Sequence, residues 1–323
     1  MSFSPSTQRG VGPRFSDGTP PARMQCVTAP RQILPGTSYL VTRRCSERRF
    51  FLRPSAVTNA IFLYVLAVAA RLHRVEVHAF CVLSNHYHLL VTDPEARLPA
   101  FMQYLDSLVA RAVNASLGRW EGFWSSENSY SAVTPVAADD VVRKTAYILA
   151  NPVSAGLVPT GREWPGLCTA PEQLGSEKLI APRPKVFFSA TGDMPASAEL
   201  VLTTPRGFSS AKEFQALVAA ALNEREAARR REVGARGFLG RKRVLAQSPF
   251  ARPAPGEPRR ELNPRVAARD RWKRIEALSR LVDFLRAYRS AWRARRAGDA
   301  DVLFPPGTYQ LRIEHAVRCA APA

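Results

Sequence analysis

Ser84 and Asn85 are all that separates two β-rich runs, residues 75–83 and 86–92. A two-residue connection cannot carry a crossover, so the runs must pair antiparallel as a hairpin. The flanking pattern extends this unit. Residues 37–44 (TSYLVTRR) put Tyr39 and Val41 on one side and read as a strand. Ser55 is placed to cap a helix running to about Arg74, with Val57, Ile61, Val65, Ala69 and Leu72 on an i, i+4 stripe. A second helix spans 98–117, a strand 131–135 and a third helix 138–150. Asp139 and Asp140 favour the start of that third helix, and Asn151-Pro152 stops it. The order β-α-β-β-α-β-α predicts an α+β domain over 31–165, a ferredoxin-like antiparallel sheet with helices on one face.

The remaining chain reads differently. Residues 1–30 are rich in Pro, Gly, Ser and Thr without periodicity and read as a disordered arm. A Pro- and Gly-rich stretch follows the α+β domain and reads as a linker over 166–208. A mainly helical region over 209–323 carries a helix at 211–231, a basic loop at 237–260, a long helix at 264–296 and a strand in the tail. Trp272, Ile275, Leu278, Val282, Leu285 and Trp292 form a seam on the long helix, with both tryptophans expected in a core.

At 46% apolar and 23% charged, the composition excludes a wholly disordered or collagen-like chain. The net charge of +19 is concentrated: residues 225–296 hold 22 Lys and Arg against 7 Asp and Glu, a surplus of +15. A solvated helical face would alternate signs, so this region is expected to grip a polyanion, nucleic acid before a membrane surface. Five scattered cysteines without a C-x-x-C pair argue against a disulfide framework or zinc ribbon and fit a reducing cytoplasm. The N-terminus lacks the apolar core of a signal peptide, and residues 61–70 fall short of the roughly 20 that span a bilayer. No membrane association is therefore expected.

The hairpin also carries the chemistry. His86 and His88 occupy positions i and i+2 of one strand, so both imidazoles project from the same face about 6.6–7 Å apart. Two imidazoles so placed can converge on one cation, although two surface histidines at a hairpin mouth would read the same. On the third helix, Arg143, Tyr147 and Asn151 recur at i, i+4 and i+8, off the stripe of Val142, Thr145, Ala146 and Leu149. Tyr147 thus sits between a cation and an amide, where a tyrosine serving only the core is less expected. Tyr64 lies within an apolar helix, Tyr87 points away from the histidines and Tyr39 into the sheet, while Tyr104 and Tyr130 stay open.

The string Asn85-His86-Tyr87-His88-Leu89-Leu90-Val91, followed by Tyr147-Ile148-Leu149-Ala150-Asn151-Pro152-Val153-Ser154-Ala155-Gly156-Leu157-Val158, resembles the REP-associated tyrosine transposases. These are single-tyrosine members of the HUH (His-hydrophobic-His) transposases of bacterial insertion sequences. The similarity covers about residues 33–165, and the basic C-terminal half lies outside it. The resemblance implies His86 and His88 as metal ligands, Asn151 as a third polar ligand and Tyr147 as nucleophile. It implies cleavage and rejoining of hairpin-containing single-stranded DNA through a 5′-phosphotyrosine link, in the bacterial cytoplasm. It also implies a divalent metal, Mg²⁺ or Mn²⁺, and no nucleotide cofactor. Monomer and homodimer are both open.

Elementary chemistry agrees with that assignment. A phenol with pKa near 10 needs help to attack an anionic phosphodiester, and a divalent cation can supply it. Neutral imidazoles suit Mn²⁺ better than oxygen-seeking Mg²⁺, so tighter Mn²⁺ binding is expected. A covalent intermediate retains the energy of the broken bond, and no P-loop string occurs. Candidate DNA contacts are Arg143 and Lys144 beside the tyrosine, and Arg119, Trp120 and Trp124 in a loop where aromatics could stack bases. In the basic region they are Arg241, Lys242 and Arg243 of the loop and Arg271, Lys273 and Arg274 of the long helix. The alternatives are a domesticated structured-DNA-binding protein without strand transfer and a His-x-His zinc hydrolase. The latter lacks an evident third ligand, since His73, His78 and His315 have no obvious claim.

Overall fold

A computed structural model describes residues 29–126, 129–254 and 264–322. The expected disordered arm lies outside them, apart from residues 29 and 30. Strand β1 (Thr37–Arg44) is followed by helix α1 (Ala56–His73), the hairpin β2 (Glu76–Val82) and β3 (His86–Asp93), helix α2 (Leu98–Ser116) and strand β4 (Ser131–Pro135). Next come α3 (Ala138–Leu149), the single turn α4 (Asn151–Ser154), a hairpin of β5 (Lys178–Pro182) and β6 (Ser197–Val201), and α5 (Ala211–Val233). The chain closes with α6 (Arg241–Ala246), β7 (Val266–Ala267), α7 (Arg271–Arg296) and α8 (Gln310–His315).

The main sheet has the order β2-β3-β1-β4-β7, antiparallel except for β7, which runs parallel to β4. Its first four strands are the α+β, ferredoxin-like arrangement that the element order predicts. Strand β1 pairs with β3 along its whole length, from Thr37 opposite Asp93 to Arg44 opposite His86. Local chemistry sets the helix starts. The Ser55 hydroxyl accepts from the Thr58 amide at 3.0 Å, and the Asp93 carboxylate accepts from Arg97 and Leu98 at 2.8 and 2.6 Å.

Both faces of the sheet are covered. Helices α1 and α2 pack on the face bearing Tyr39, Val41, Phe80, Tyr87, Leu89 and Val91. Helix α3, joined by α5, packs on the other, against Leu40, Ala79, Cys81 and Leu90. The one-face expectation thus holds for two helices and is corrected for the third, because Leu40, Ala79, Cys81, Leu90 and Val133 give the second face of the sheet an apolar patch that needs its own cover. Helix α1 is long and apolar enough by composition to cross a membrane, yet most of it is buried. Its apolar character follows from packing: Phe62 meets the Tyr87 ring edge-on at 5.1 Å, and Ile61, Val65 and Ala69 are buried.

Four further expectations change. Residues 166–208 carry the β5–β6 hairpin, whose Ala181, Ala198 and Leu200 join the α1 core. The long basic helix begins at Arg271 and not at 264, with Asp270 capping the Lys273 amide at 2.8 Å. The preceding segment instead adds β7 to the sheet, held by Arg269 N donating to Asp140 Oδ1 at 2.8 Å. The tail forms α8, where a strand was expected. Trp272 and Trp292 are 74% and 40% exposed, since α7 is anchored by another stripe that includes Phe284, Tyr288 and Ala291.

His78 is skipped in the β2–β3 register and fully buried. Its ring lies 2.8 Å from the Thr203 carbonyl through Nδ1 and 2.7 Å from Thr92 Oγ1 through Nε2. A carbonyl can only accept, so Nδ1 carries the proton and Nε2 accepts from the threonine. Burial pushes its pKa down to about 4. The folded value lies below the unfolded one, so stability is complete above about pH 6.5 and falls as pH drops toward 4. His78→Gln is expected to flatten that fall by up to about 1.4 kcal/mol per pH unit, read from urea unfolding across the window.

Candidate active site

His86 and His88 open β3 and point to the α3 face, while Tyr87 between them enters the α1–α2 core and donates to Asp106 Oδ1 at 2.6 Å. The two imidazoles lie edge to face with centroids 4.8 Å apart. Each is held through Nδ1: His86 by the Asn85 side-chain oxygen at 2.6 Å, His88 by Thr42 Oγ1 at 2.7 Å. Thr42 sits opposite His88 because of the β1–β3 register. The Asn85 oxygen only accepts, so His86 Nδ1 carries the proton and its Nε2 keeps the lone pair. Thr42 Oγ1 can accept from Nδ1 of His88 and free its Nε2 in the same way. Nε2 of His88 is buried and completes no hydrogen bond among the described residues.

Both rings are neutral at physiological pH. Burial drives the His88 pKa down to about 3, with the positive charge of Arg44 adding to it and the Asn151 side chain opposing it in part. His86 is also held well below the usual histidine value, by burial, by His88 and by Arg44.

Helix α3 brings the tyrosine to this pair. Val142, Ala146 and Leu149 seat the helix on the sheet. Tyr147 stands beside that stripe, 38% exposed, with its ring 5.4 Å from the ring of His88. One turn on, Asn151 is buried and its Nδ2 donates to the Tyr147 carbonyl at 2.8 Å. That bond fixes the amide, so the oxygen is the end left for the His88 side. The four residues singled out in two separate stretches of sequence therefore stand together.

The donors fit a divalent cation: two neutral imidazoles and the Asn151 amide oxygen, with the buried His88 ring facing that amide. Among the described residues there is no group of three or more His, Cys, Asp or Glu. That disfavours a zinc hydrolase site, which takes a third imidazole, thiolate or carboxylate. His78 is saturated by Thr203 and Thr92, His73 stacks on Tyr104 at 5.7 Å, and His315 is exposed on α8.

No protein-family model and no curated protein matches the chain. A solved REP-associated tyrosine transposase bound to a REP hairpin is similar over 42% of this chain and 78% of its own, at 18% identity and a TM-score of 0.36. A provisionally assigned transposase from Deinococcus radiodurans is similar over 36% of this chain and 92% of its own, at 20% identity and a TM-score of 0.28. These similarities are weak; what the residues can do follows from their own geometry.

The other expected contacts divide. Arg143 is exposed, and Lys144 lies with Nζ 5.8 Å from the Tyr147 ring centroid. Burial and the nearby Arg225 lower the Lys144 pKa. Trp120 is 89% exposed and free to stack. Trp124 is not: it is half-buried against the core and donates to the Asp106 carbonyl at 2.8 Å. Arg119 is also committed, over the Phe51 ring at 3.8 Å and on Asn114 Oδ1 at 2.8 Å. Both are corrected to structural roles, because a loop closing the end of a core uses its own aromatics and cations to do so.

Arg241, Lys242 and Arg243 are exposed on α6, where a loop was expected. Val244 anchors this turn in the α3–α5 core, and Leu239 and Gly240 donate to the Gly156 and Leu157 carbonyls at 3.0 and 2.8 Å. The basic turn is thereby pinned beside the chain that follows Asn151. Changing all three residues to Gln is expected to weaken single-strand DNA binding and to flatten its logarithmic salt slope by about 0.7 per lost phosphate contact, read by fluorescence anisotropy. Arg271, Lys273 and Arg274 are exposed at the start of α7.

Sequence reading passed over Thr42, Asn85 and Arg44. Asn85 was legible as a polar neighbour of His86. Thr42 and Arg44 share a face of β1, but only the pairing of β1 with β3 directs that face to the histidines.

Proposed function

We propose that this chain is a DNA transposase that cleaves and rejoins hairpin-containing single-stranded DNA through a 5′-phosphotyrosine intermediate on Tyr147. The observation that carries the reading is the cluster itself: an accessible tyrosine ring 5.4 Å from His88, which lies 4.8 Å from His86, with Asn151 one turn on. The basic C-terminal region and the similarity to a transposase solved with a REP hairpin support DNA as the partner.

His86, His88 and Asn151 would hold a divalent cation, Mg²⁺ or more tightly Mn²⁺. Bound there, it supplies Lewis-acid charge to a phosphate oxygen. The chain's own residues do the rest. Tyr147 Oη loses its proton and forms a bond to the scissile phosphorus. The bond from phosphorus to the departing 3′ oxygen breaks, and that oxygen leaves as a hydroxyl. Lys144 places a positive charge beside the phenol ring, where negative charge grows on the oxygen. Arg143, one turn before Tyr147 on the open side of α3, is placed to hold a flanking phosphate. The reverse attack by a new 3′-hydroxyl rejoins the strand and frees Tyr147.

Incubating the full chain with labelled, hairpin-bearing single-stranded DNA and Mn²⁺ tests this on a denaturing gel. A protein-linked DNA band, mapped by digestion to the peptide containing Tyr147, is expected. DNA that is bound but never linked, over a range of hairpins, would reduce the protein to a structured-DNA binder.

A further inference from the structure

On the opposite side of the sheet from the histidines, a cavity of about 320 Å³ opens between the segment before β1, the β4–β7 edge and α7. Its strand floor is Tyr39, Ala132 and Thr134, which share the α1–α2 face. Two features set it apart from an ordinary crevice.

The first is uncompensated positive charge. Arg31 and Arg265 both line the cavity, and neither makes a salt bridge to a described carboxylate. Arg31 stacks on the Tyr130 ring at 3.8 Å and donates to the Tyr130 carbonyl, while its Nε is buried without a hydrogen-bond partner. Arg265 donates to the Ala29 carbonyl at 3.3 Å. Burial and repulsion from Arg31 both act against the Arg265 charge. Two guanidiniums brought together in a half-buried place, with no carboxylate paired to either among the described residues, favour binding an anion.

The second is the apolar lining beside those cations. The Tyr39 hydroxyl is buried at the cavity floor, in the company of Thr37 and the Leu34 backbone. Leu34, Leu281 and Leu285 line it with apolar surface. Arg280 also lines the cavity but is paired with Glu276.

A bare phosphate would use the cations and leave the apolar wall idle. An apolar ligand would leave the cations unpaired. A cavity of this volume with both cationic and apolar lining matches a single nucleotide. We propose that it binds one nucleotide, with the phosphate on Arg31 and Arg265 and the base against Leu281 and Leu285. The recognising chemistry is the same for a free nucleotide and for one carried in a strand.

The test uses the full chain in EDTA, so that no cleavage intervenes. Binding of deoxyadenosine monophosphate and of a short 5′-phosphorylated single strand is measured by calorimetry or anisotropy. Arg265→Gln removes one cation, and Leu281→Trp fills the cavity without changing charge. Arg31 is left intact because its stacking on Tyr130 holds the fold. Each variant, with an unchanged melting temperature, is expected to lose about tenfold or more in affinity for at least one probe. Loss with the monophosphate identifies a free nucleotide as sufficient. Loss with the strand alone identifies a strand-borne nucleotide. Wild-type affinity of both variants for both probes, or no binding of either probe by the wild type, overturns the proposal. Neither result bears on the Tyr147 chemistry, which is read by covalent linkage.

Discussion

Tyr147→Phe is expected to abolish covalent capture of DNA while leaving the fold and DNA binding intact. The substitution removes one oxygen from a side chain that is 38% exposed, so its cost in stability should stay within about 0.5 kcal/mol. Losing the only atom that forms the bond is another matter. Where a covalent intermediate is obligatory, the rate drops to background, on the order of 10⁴-fold or more. The measurement is linked DNA on a denaturing gel beside anisotropy of the same variant. No neighbouring tyrosine offers a substitute. Tyr39, Tyr64, Tyr87 and Tyr130 are buried on the α1–α2 side of the sheet, and Tyr104 reaches toward Met194 with its hydroxyl 3.5 Å from the sulfur. Linkage that persists in Tyr147→Phe would therefore remove the assignment.

The hairpin was the legible part of this fold, since two residues between β-rich runs admit one solution. The side of the sheet taken by α3 was not, although a signal existed. Leu89 and Val91 face one side, while Leu90 joins Leu40, Ala79, Cys81 and Val133 on the other, and a sheet apolar on both faces must be covered twice. Periodicity alone also misjudged α7. It carries one apolar stripe through Trp272, Ile275, Leu278 and Val282 and another through Leu281, Phe284, Tyr288 and Ala291. Pattern does not say which faces the body; the second does. Of the site, the residue types and their helical and strand offsets were readable, because spacing within one element fixes a face. Thr42 depends on register between distant strands, and the β1–β3 pairing carries no mark in either segment alone.

His88→Ala should cost nearly as much activity as the loss of the nucleophile, by a different route. Its ring is buried beside His86, Tyr147 and the Asn151 side chain, so removing it deletes a cation donor and leaves His86 and Asn151 alone. A fall in DNA linkage of roughly 10²–10⁴-fold is expected, the range in which charge stabilisation worth several kcal/mol operates. Mn²⁺ titration followed by electron paramagnetic resonance should show the lost affinity without reference to activity. Thr42→Val keeps the imidazole but removes the hydroxyl that orients it, and should weaken Mn²⁺ binding by about 10–100-fold. The pH dependence separates this site from a pair of surface histidines. With His88 titrating near 3 and His86 well below its usual value, protons compete with the cation only in strong acid. Mn²⁺ affinity should then stay flat from pH 8 to below 6, where solvent-exposed imidazoles would lose it from about 6.5 downward. A binding curve with its midpoint near 6.5, or one indifferent to His88→Ala, would place the cation elsewhere.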